Sequence, residues 1–203
     1  MSYKTIRNRT EASFTEKKSE FIGYISPAGT EEEAIGFINE IRAMHRKATH
    51  NCYAYILRNN NTGRHSDDGE PGGTAGMPIY DVLSKNGITD VVCVVTRYFG
   101  GILLGTGGLV HAYSKGASMA LANAEIVNME VADSLKISCD YTMYGIVNSV
   151  LPEFESIIRD TEFTDSVCIY ADVKTVLTES LTAKLIDLSL IHISEPTRRT
   201  PIS

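Results

Sequence analysis

The sequence predicts an α+β protein of two domains, and three observations carry that prediction. Val91-Val-Cys-Val-Val-Thr96 is a nearly continuous β-branched run of the kind found in a strand buried on both faces. A glycine-rich stretch follows, then a helix whose small residues (Ala112, Ser114, Ala117, Ser118, Ala120 and Ala122) allow close packing on a sheet. Residues 134–189 then switch to a regular alternation of strand and helix patterns.

In chain order, Lys4–Ile6 reads as a short strand and Ser19–Ser26 as a longer one, with Phe21, Tyr24 and Ile25 supplying bulk. Thr30 with Glu33 three residues on is a capping-box signature, and Ala34, Ile38 and Ile41 fall on one face at helical spacing, so a helix should run to about Met44. Asn51–Arg58 is the next strand, followed by a polar loop rich in Asn and Gly and a short helix around Ile79–Ser84. Asp90–Tyr98 is the strongest strand of the chain. Gly100, Gly101, Gly105, Gly107 and Gly108 read as a turn leading into a helix from about Leu109 to Ala124. These elements make a first domain of residues 1–130.

In a second domain, residues 131–189, Leu135–Tyr141 reads as a strand, Tyr144–Ile158 as a helix, Phe163–Val173 as one strand or two, and Thr178–Leu188 as a helix. That is most of a β-α-β-β-α-β, ferredoxin-like unit, lacking its last strand. In the place of that strand, residues 190–203 hold two prolines and an Arg pair, a poor strand composition. This tail resembles translated adapter read-through and is expected to be non-native.

Composition narrows the function classes. The chain of 203 residues, 43% apolar and 22% charged, can bury a real core. It contains no run of the ~20 apolar residues that a membrane helix needs. Residues 1–7 lack the apolar centre of a signal peptide, so a cytoplasmic protein is expected. Cys52, Cys93, Cys139 and Cys168 are far apart with no Cys-x-x-Cys pair, which points to buried thiols rather than zinc ligands. Of the net charge of −6, residues 1–130 carry −1, residues 131–189 carry −6 and residues 190–203 carry +1. An acidic second domain argues against broad phosphate-backbone binding there, and leaves any nucleic-acid contact to a local patch on the first.

Chemistry-bearing residues gather in three clusters of the first domain. One is His45-Arg-Lys47-Ala-Thr-His50-Asn51, at a helix–strand junction. A second is His65-Ser66-Asp67-Asp68-Gly-Glu70-Pro71-Gly-Gly-Thr74-Ala-Gly76, and a third is Thr96-Arg97-Tyr98-Phe99-Gly100-Gly101, continued by Leu104-Gly105-Thr-Gly107-Gly108 and Tyr113. Three carboxylates in four residues can bind a cation or hold a proton for acid–base work, yet they do not fit a calcium loop. His45 and His50 are five apart, off the spacing that places two ligands on one helix face. No metal or cofactor is therefore expected. The strand, glycine-rich turn and helix start of the third cluster could expose backbone N–H groups to an anion, with Arg97 adding a bidentate contact, or could simply pack closely. Neither phosphate-loop motif is complete there, and Ser66 sits in no nucleophile elbow.

The combination of His50-Asn51, Ser66-Asp-Asp-Gly-Glu-Pro71, Gly73-Thr-Ala-Gly76-Met-Pro78 and Arg97-Tyr-Phe-Gly-Gly101 resembles the signature of the YigZ/Impact family over nearly the whole first domain. Gly72 and His111 depart from the pattern, where Ser or Ala, and Arg, are more usual. The resemblance implies a first domain folded like the second domain of a small-subunit ribosomal protein. It likens the second domain to the ferredoxin-like last domain of an elongation factor. Eukaryotic relatives regulate translation by competing for the activator of an amino-acid-starvation kinase.

Three readings follow. The first is a translation-associated regulatory or binding protein that contacts RNA, the ribosome or a ribosome-bound factor. Arg97 and Lys47 would meet phosphate and Tyr98 and Phe99 would stack, within a surface of His50, Asn51, Ser66, Asp67, Asp68, Glu70, Thr74, Gly100, Gly101, Gly105 and Gly108. The second is a hydrolase of a small phosphorylated or peptide substrate using Asp67, Asp68 and Glu70. The third is structural, with Arg97 paired to Asp67 or Asp68 across a turn.

Overall fold

The computed structural model describes residues 2–59, 62–188, 192–194 and 199–202, with side chains for the first two ranges. The chain divides into two compact units, residues 3–128 and a second from Met129 onward.

The first unit comprises β1 (Tyr3–Ile6), β2 (Thr10–Glu16), β3 (Ser19–Pro27), α1 (Glu31–Met44), β4 (His50–Leu57), β5 (Thr62–Ser66), α2 (Gly76–Lys85), β6 (Val91–Tyr98) and α3 (Gly105–Ala122). Five of its strands form an antiparallel sheet in the order β2-β3-β6-β4-β5. The β-branched run is β6, at the centre of the sheet, and its residues alternate between two cores. Val91, Cys93 and Val95 pack with Ile79 and Leu83 of α2 and Ala112, Tyr113 and Ala117 of α3. Val92 and Val94 pack with Ala34, Phe37, Ile38 and Ile41 of α1. The unit is thus three layers, with α1 on one face of the sheet and α2 and α3 on the other.

Helix α1 starts where the capping signature places it: Glu33 N donates to Thr30 Oγ1 at 3.2 Å, and Glu33 Oε2 accepts from Gly29 N at 2.7 Å. Helix α3 lies very close to β3. A Cβ on Gly23 would collide with the Gly116 carbonyl oxygen, so the close approach requires glycine at position 23.

Two strands go beyond the sequence reading. β5 lies in the segment expected as a polar loop, and β2 in a segment that carries no expectation: β2 has Phe14 as its one bulky apolar residue and β5 (Thr-Gly-Arg-His-Ser) has none, so neither shows strand patterning. The glycines from Gly105 onward form the first turn of α3 rather than a turn before it, since the register of Leu109, Tyr113 and Ala117 on the sheet fixes the helix from its start.

The second unit holds β7 (Ile126–Cys139, entering from the first unit), α4 (Tyr141–Val150), a 3₁₀ turn (Leu151–Phe154), β8 (Ile157–Phe163), β9 (Val167–Lys174), α5 (Thr175–Asp187), β10 (His192–Ser194) and β11 (Arg199–Ile202). β7 pairs with β9 and β9 with β8, and Leu135, Ile137, Ile169 and Val173 pack with Val147, Val150, Leu181 and Leu185. The expected long helix ends at Val150 because Pro152 and the left-handed Glu155 (φ 52°) turn the chain, sending Ile157 and Ile158 into β8. The ferredoxin-like order is present, and its last strand is not missing. The backbones of residues 192–194 and 199–202 lie antiparallel along β7, where that strand belongs. Pro201 is accommodated because this is a sheet edge.

Candidate functional site

The antiparallel register of β4 on β6 sets His50 opposite Arg97 and Asn51 opposite Thr96. Because successive side chains of a strand point to opposite faces, the motif residues separate into two groups. Arg97 and His50 face α2 and α3, whereas Asn51 and Tyr98 face α1. Tyr98 therefore does not join Arg97 and Phe99 in a stacking surface. Its hydroxyl bonds His45 Nδ1 at 2.8 Å, and His45 Nε2 bonds the Tyr24 hydroxyl at 2.7 Å. The Asn51 side chain is buried and accepts from Thr96 Oγ1 at 2.8 Å.

The Ser66–Gly76 loop is held by its own carboxylates. Asp67 accepts backbone N–H groups from Gly73 (2.8 Å), Ala75 (2.9 Å) and Gly76 (2.8 Å), which tie the loop to the start of α2. Burial raises the Asp67 carboxyl, but these three donors outweigh it and hold the group below its ordinary value. Asp68, in the left-handed region (φ 45°), accepts from Arg42 Nη2 and from Asn51 N, each at 2.7 Å, and its own N–H donates to Ser66 Oγ at 3.2 Å. Thr74 is buried, its hydroxyl donating to Pro71 O at 2.6 Å.

Glu70 turns inward. Its Oε1 accepts from Arg97 Nη1 at 2.6 Å and from the Tyr113 hydroxyl at 2.7 Å, with His50 Nε2 3.8 Å away. The structural reading placed Arg97 against Asp67 or Asp68; its partner is Glu70, because both aspartates are already committed to backbone N–H groups and Arg42. Nor do the three carboxylates converge, since each serves a different partner. Arg97 and Glu70 expose only 5% and 4% of their side chains, so Arg97 stands at the floor of a cavity rather than on the open surface. The guanidinium also lies between the rings of Phe21 (5.5 Å) and Phe99 (5.3 Å), and its Nη2 reaches Ser19 Oγ at 3.5 Å. His50 Nδ1 meets the Asp68 carbonyl at 2.8 Å, so Nδ1 carries the proton and Nε2 faces Glu70.

Above this buried pair lies a cavity of about 410 Å³, lined by Thr49, His50, Glu70, Pro71, Arg97 and Phe99 and by Leu103, Leu104, Gly105, Thr106 and Leu109 of the loop and start of α3. Gly101 (φ 83°) and Gly105 (φ 76°) supply the left-handed backbone that carries the chain from β6 into α3. Gly100 backs directly onto the Lys18 carbonyl, where a Cβ would collide, and its N–H donates to Ser19 Oγ at 3.2 Å. Gly108, on the helix, touches Leu104 rather than the cavity. Sequence reasoning missed the apolar part of this site. Ile102-Leu103-Leu104 between glycines is an apolar run at a loop position, and that was the available signal. Phe99, Ile102 and Leu103 are 46%, 41% and 81% exposed. Among the described residues no group of His, Cys, Asp or Glu side chains is placed to hold a metal ion.

The model of the Impact N-terminal domain matches residues 17–121, which contain every residue of this site. The chain belongs to the IMPACT family. A domain of unknown function, DUF1949, matches residues 137–189. Among relatives, the chain is 40% identical to the IMPACT family member YvyE of Bacillus subtilis, over 82% of this chain and 77% of that protein. It is 33% identical to the IMPACT family member YigZ of Escherichia coli, over 85% and 86%. A crystal structure described as a hypothetical protein superposes with a TM-score of 0.64 at 29% identity, covering 97% of this chain and 98% of that one. No helix among the described residues is long and apolar enough to cross a membrane.

Proposed function

We propose that this IMPACT family protein is a translation-associated binding protein, contacting RNA, the ribosome or a ribosome-bound factor through the motif loops of its first unit. The observation that carries the reading is the division of labour around Arg97. The buried Arg97–Glu70–Tyr113 set fixes the floor, while Phe99 and Leu103 stand exposed above it beside the open cavity. Exposed apolar side chains on a rigid, hydrogen-bonded base are what a binding surface needs. The same reading implies a cytoplasmic protein. In this arrangement Arg97 supports the Phe99 ring instead of touching the partner.

The test is co-sedimentation of the full chain with purified ribosomes and separated subunits across a salt series. The expected result is salt-sensitive association that Phe99→Ala weakens, since Phe99 is exposed and its loss leaves the floor intact. Absence of association at low salt would overturn the proposal.

A further inference from the structure

The cations of the first unit are unevenly used. Ion pairs engage Arg7, Arg9, Arg42, Arg58, Arg64, Lys85 and Arg97. Lys115 lies over the Phe14 ring. Lys4 and Lys115 apart, the cations of that unit without an ion pair among the described residues are Lys17, Lys18, Arg46 and Lys47, all exposed. These four occupy two turns, each joined to residues at or next to the cavity lining. The Lys17–Lys18 turn backs onto Gly100 and continues into Ser19, which receives the Gly100 N–H. The Arg46–Lys47 turn leads into Thr49, a cavity-lining residue whose hydroxyl accepts from Phe99 N at 3.1 Å.

We infer that the cavity docks an acidic peptide segment of a protein partner, with one apolar side chain seated between Phe99, Leu103, Leu104 and Leu109 and its flanking carboxylates facing the two basic turns. This deepens the binding reading proposed above and rests on it. Charge complementarity selects the sign of the partner, because four cations without an ion pair stand in two turns that connect to the cavity lining, one through Gly100 beside Phe99 and one through Thr49, while the charges inside the cavity, Arg97 and Glu70, neutralise each other. The nature of the walls selects protein over RNA. Single-stranded nucleic acid wants successive aromatic platforms, and here Tyr98 is held by His45 on the far face of the sheet while Phe99 has Arg97 against its ring. The other apolar walls are Pro71, Leu103, Leu104 and Leu109, with Thr49, His50 and Thr106 beside them, and a cavity of about 410 Å³ accommodates a Leu or Phe side chain with room for its backbone. Leu103, 81% exposed, gains most by being covered.

The experiment measures fluorescence anisotropy with the full chain and three labelled probes: a short Glu/Asp-rich peptide with a central Phe, the same peptide with Ser in place of Phe, and an oligouridine RNA of equal charge. The expected result is preference for the Phe peptide, weakened roughly tenfold by Leu103→Ser and by Lys47→Glu with Lys18→Glu. Both Leu103 and the lysines are exposed, so the variants retain the fold, which circular dichroism checks. Equal binding of the Phe and Ser peptides, or RNA binding that Leu103→Ser leaves intact, overturns the inference. If ribosome co-sedimentation survives that result, only the partner class falls; if the wild type never co-sediments, the broader reading falls instead.

Discussion

Arg97 Nη1 and Glu70 Oε1 meet at 2.6 Å with almost all of both side chains out of water. The two residues come from a central strand and a loop, and they hold that loop onto the sheet. Removing one partner leaves the other charge buried, which costs about 3–5 kcal/mol, whereas removing both relieves much of that penalty. Arg97→Met and Glu70→Leu should each destabilise the protein strongly, and the double variant should be clearly more stable than the sum of the two losses predicts. Urea unfolding of the four proteins measures the coupling.

Asp67 should make the protein acid-sensitive. Its carboxyl is held below the ordinary value of 3.8, burial being outweighed by the N–H groups of Gly73, Gly76 and Ala75. A depressed carboxylate contributes stability that is present above the unfolded value and is lost as pH falls through the lower folded value. Asp67→Asn should therefore cost about 2 kcal/mol at pH 7 and lose less stability than the wild type as pH drops below about 4. Unfolding free energies at neutral and acid pH test this; equal acid dependence would show that Asp67 is not responsible.

Two glycines of the segment joining β6 to α3 and opening that helix should answer oppositely to alanine. At Gly100 a Cβ meets the Lys18 backbone, so Gly100→Ala should destabilise by about 1–3 kcal/mol or displace the turn beneath it. At Gly107 nothing lies within 4 Å and the position is helical, so Gly107→Ala should stabilise by about 0.5–1 kcal/mol. Paired thermal melts distinguish the two.

The buried thiols should be inert. Burial pushes the Cys93 thiol up to about 12, and burial likewise raises Cys52, whose Sγ donates to the Asp67 carbonyl oxygen at 3.0 Å. A thiol reagent at about pH 8 should modify the partly exposed Cys168 first, and should reach Cys52 and Cys93 only as the protein unfolds. Mass spectrometry after timed labelling reads the order.

Much of this was legible in the sequence for definite reasons. The central strand β6 announced itself because both of its faces are buried, and α1 because Thr30 caps it. The site was found as a set of residues but not as an arrangement. Tyr98 and Phe99 are adjacent in sequence, and grouping them as stacking partners ignored the alternation that sends Tyr98 to the opposite face. Choosing Asp67 or Asp68 as the Arg97 partner required knowing which carboxylates the backbone had already claimed, and local sequence does not carry that. The cavity wall was missed because Leu103 and Leu104 bear no functional group; apolar residues announce a site only through their exposure.

The contact of Gly23 with Gly116 has a reach beyond its own position. It lies 11 residues, about three turns or roughly 16 Å, from the start of α3 at Gly105. A helix seated there can neither slide along its axis nor roll, so the cavity wall at the other end inherits a fixed registration. Its shape is in this sense set at a distance, by one hydrogen atom of Gly23 where every other amino acid would place carbon.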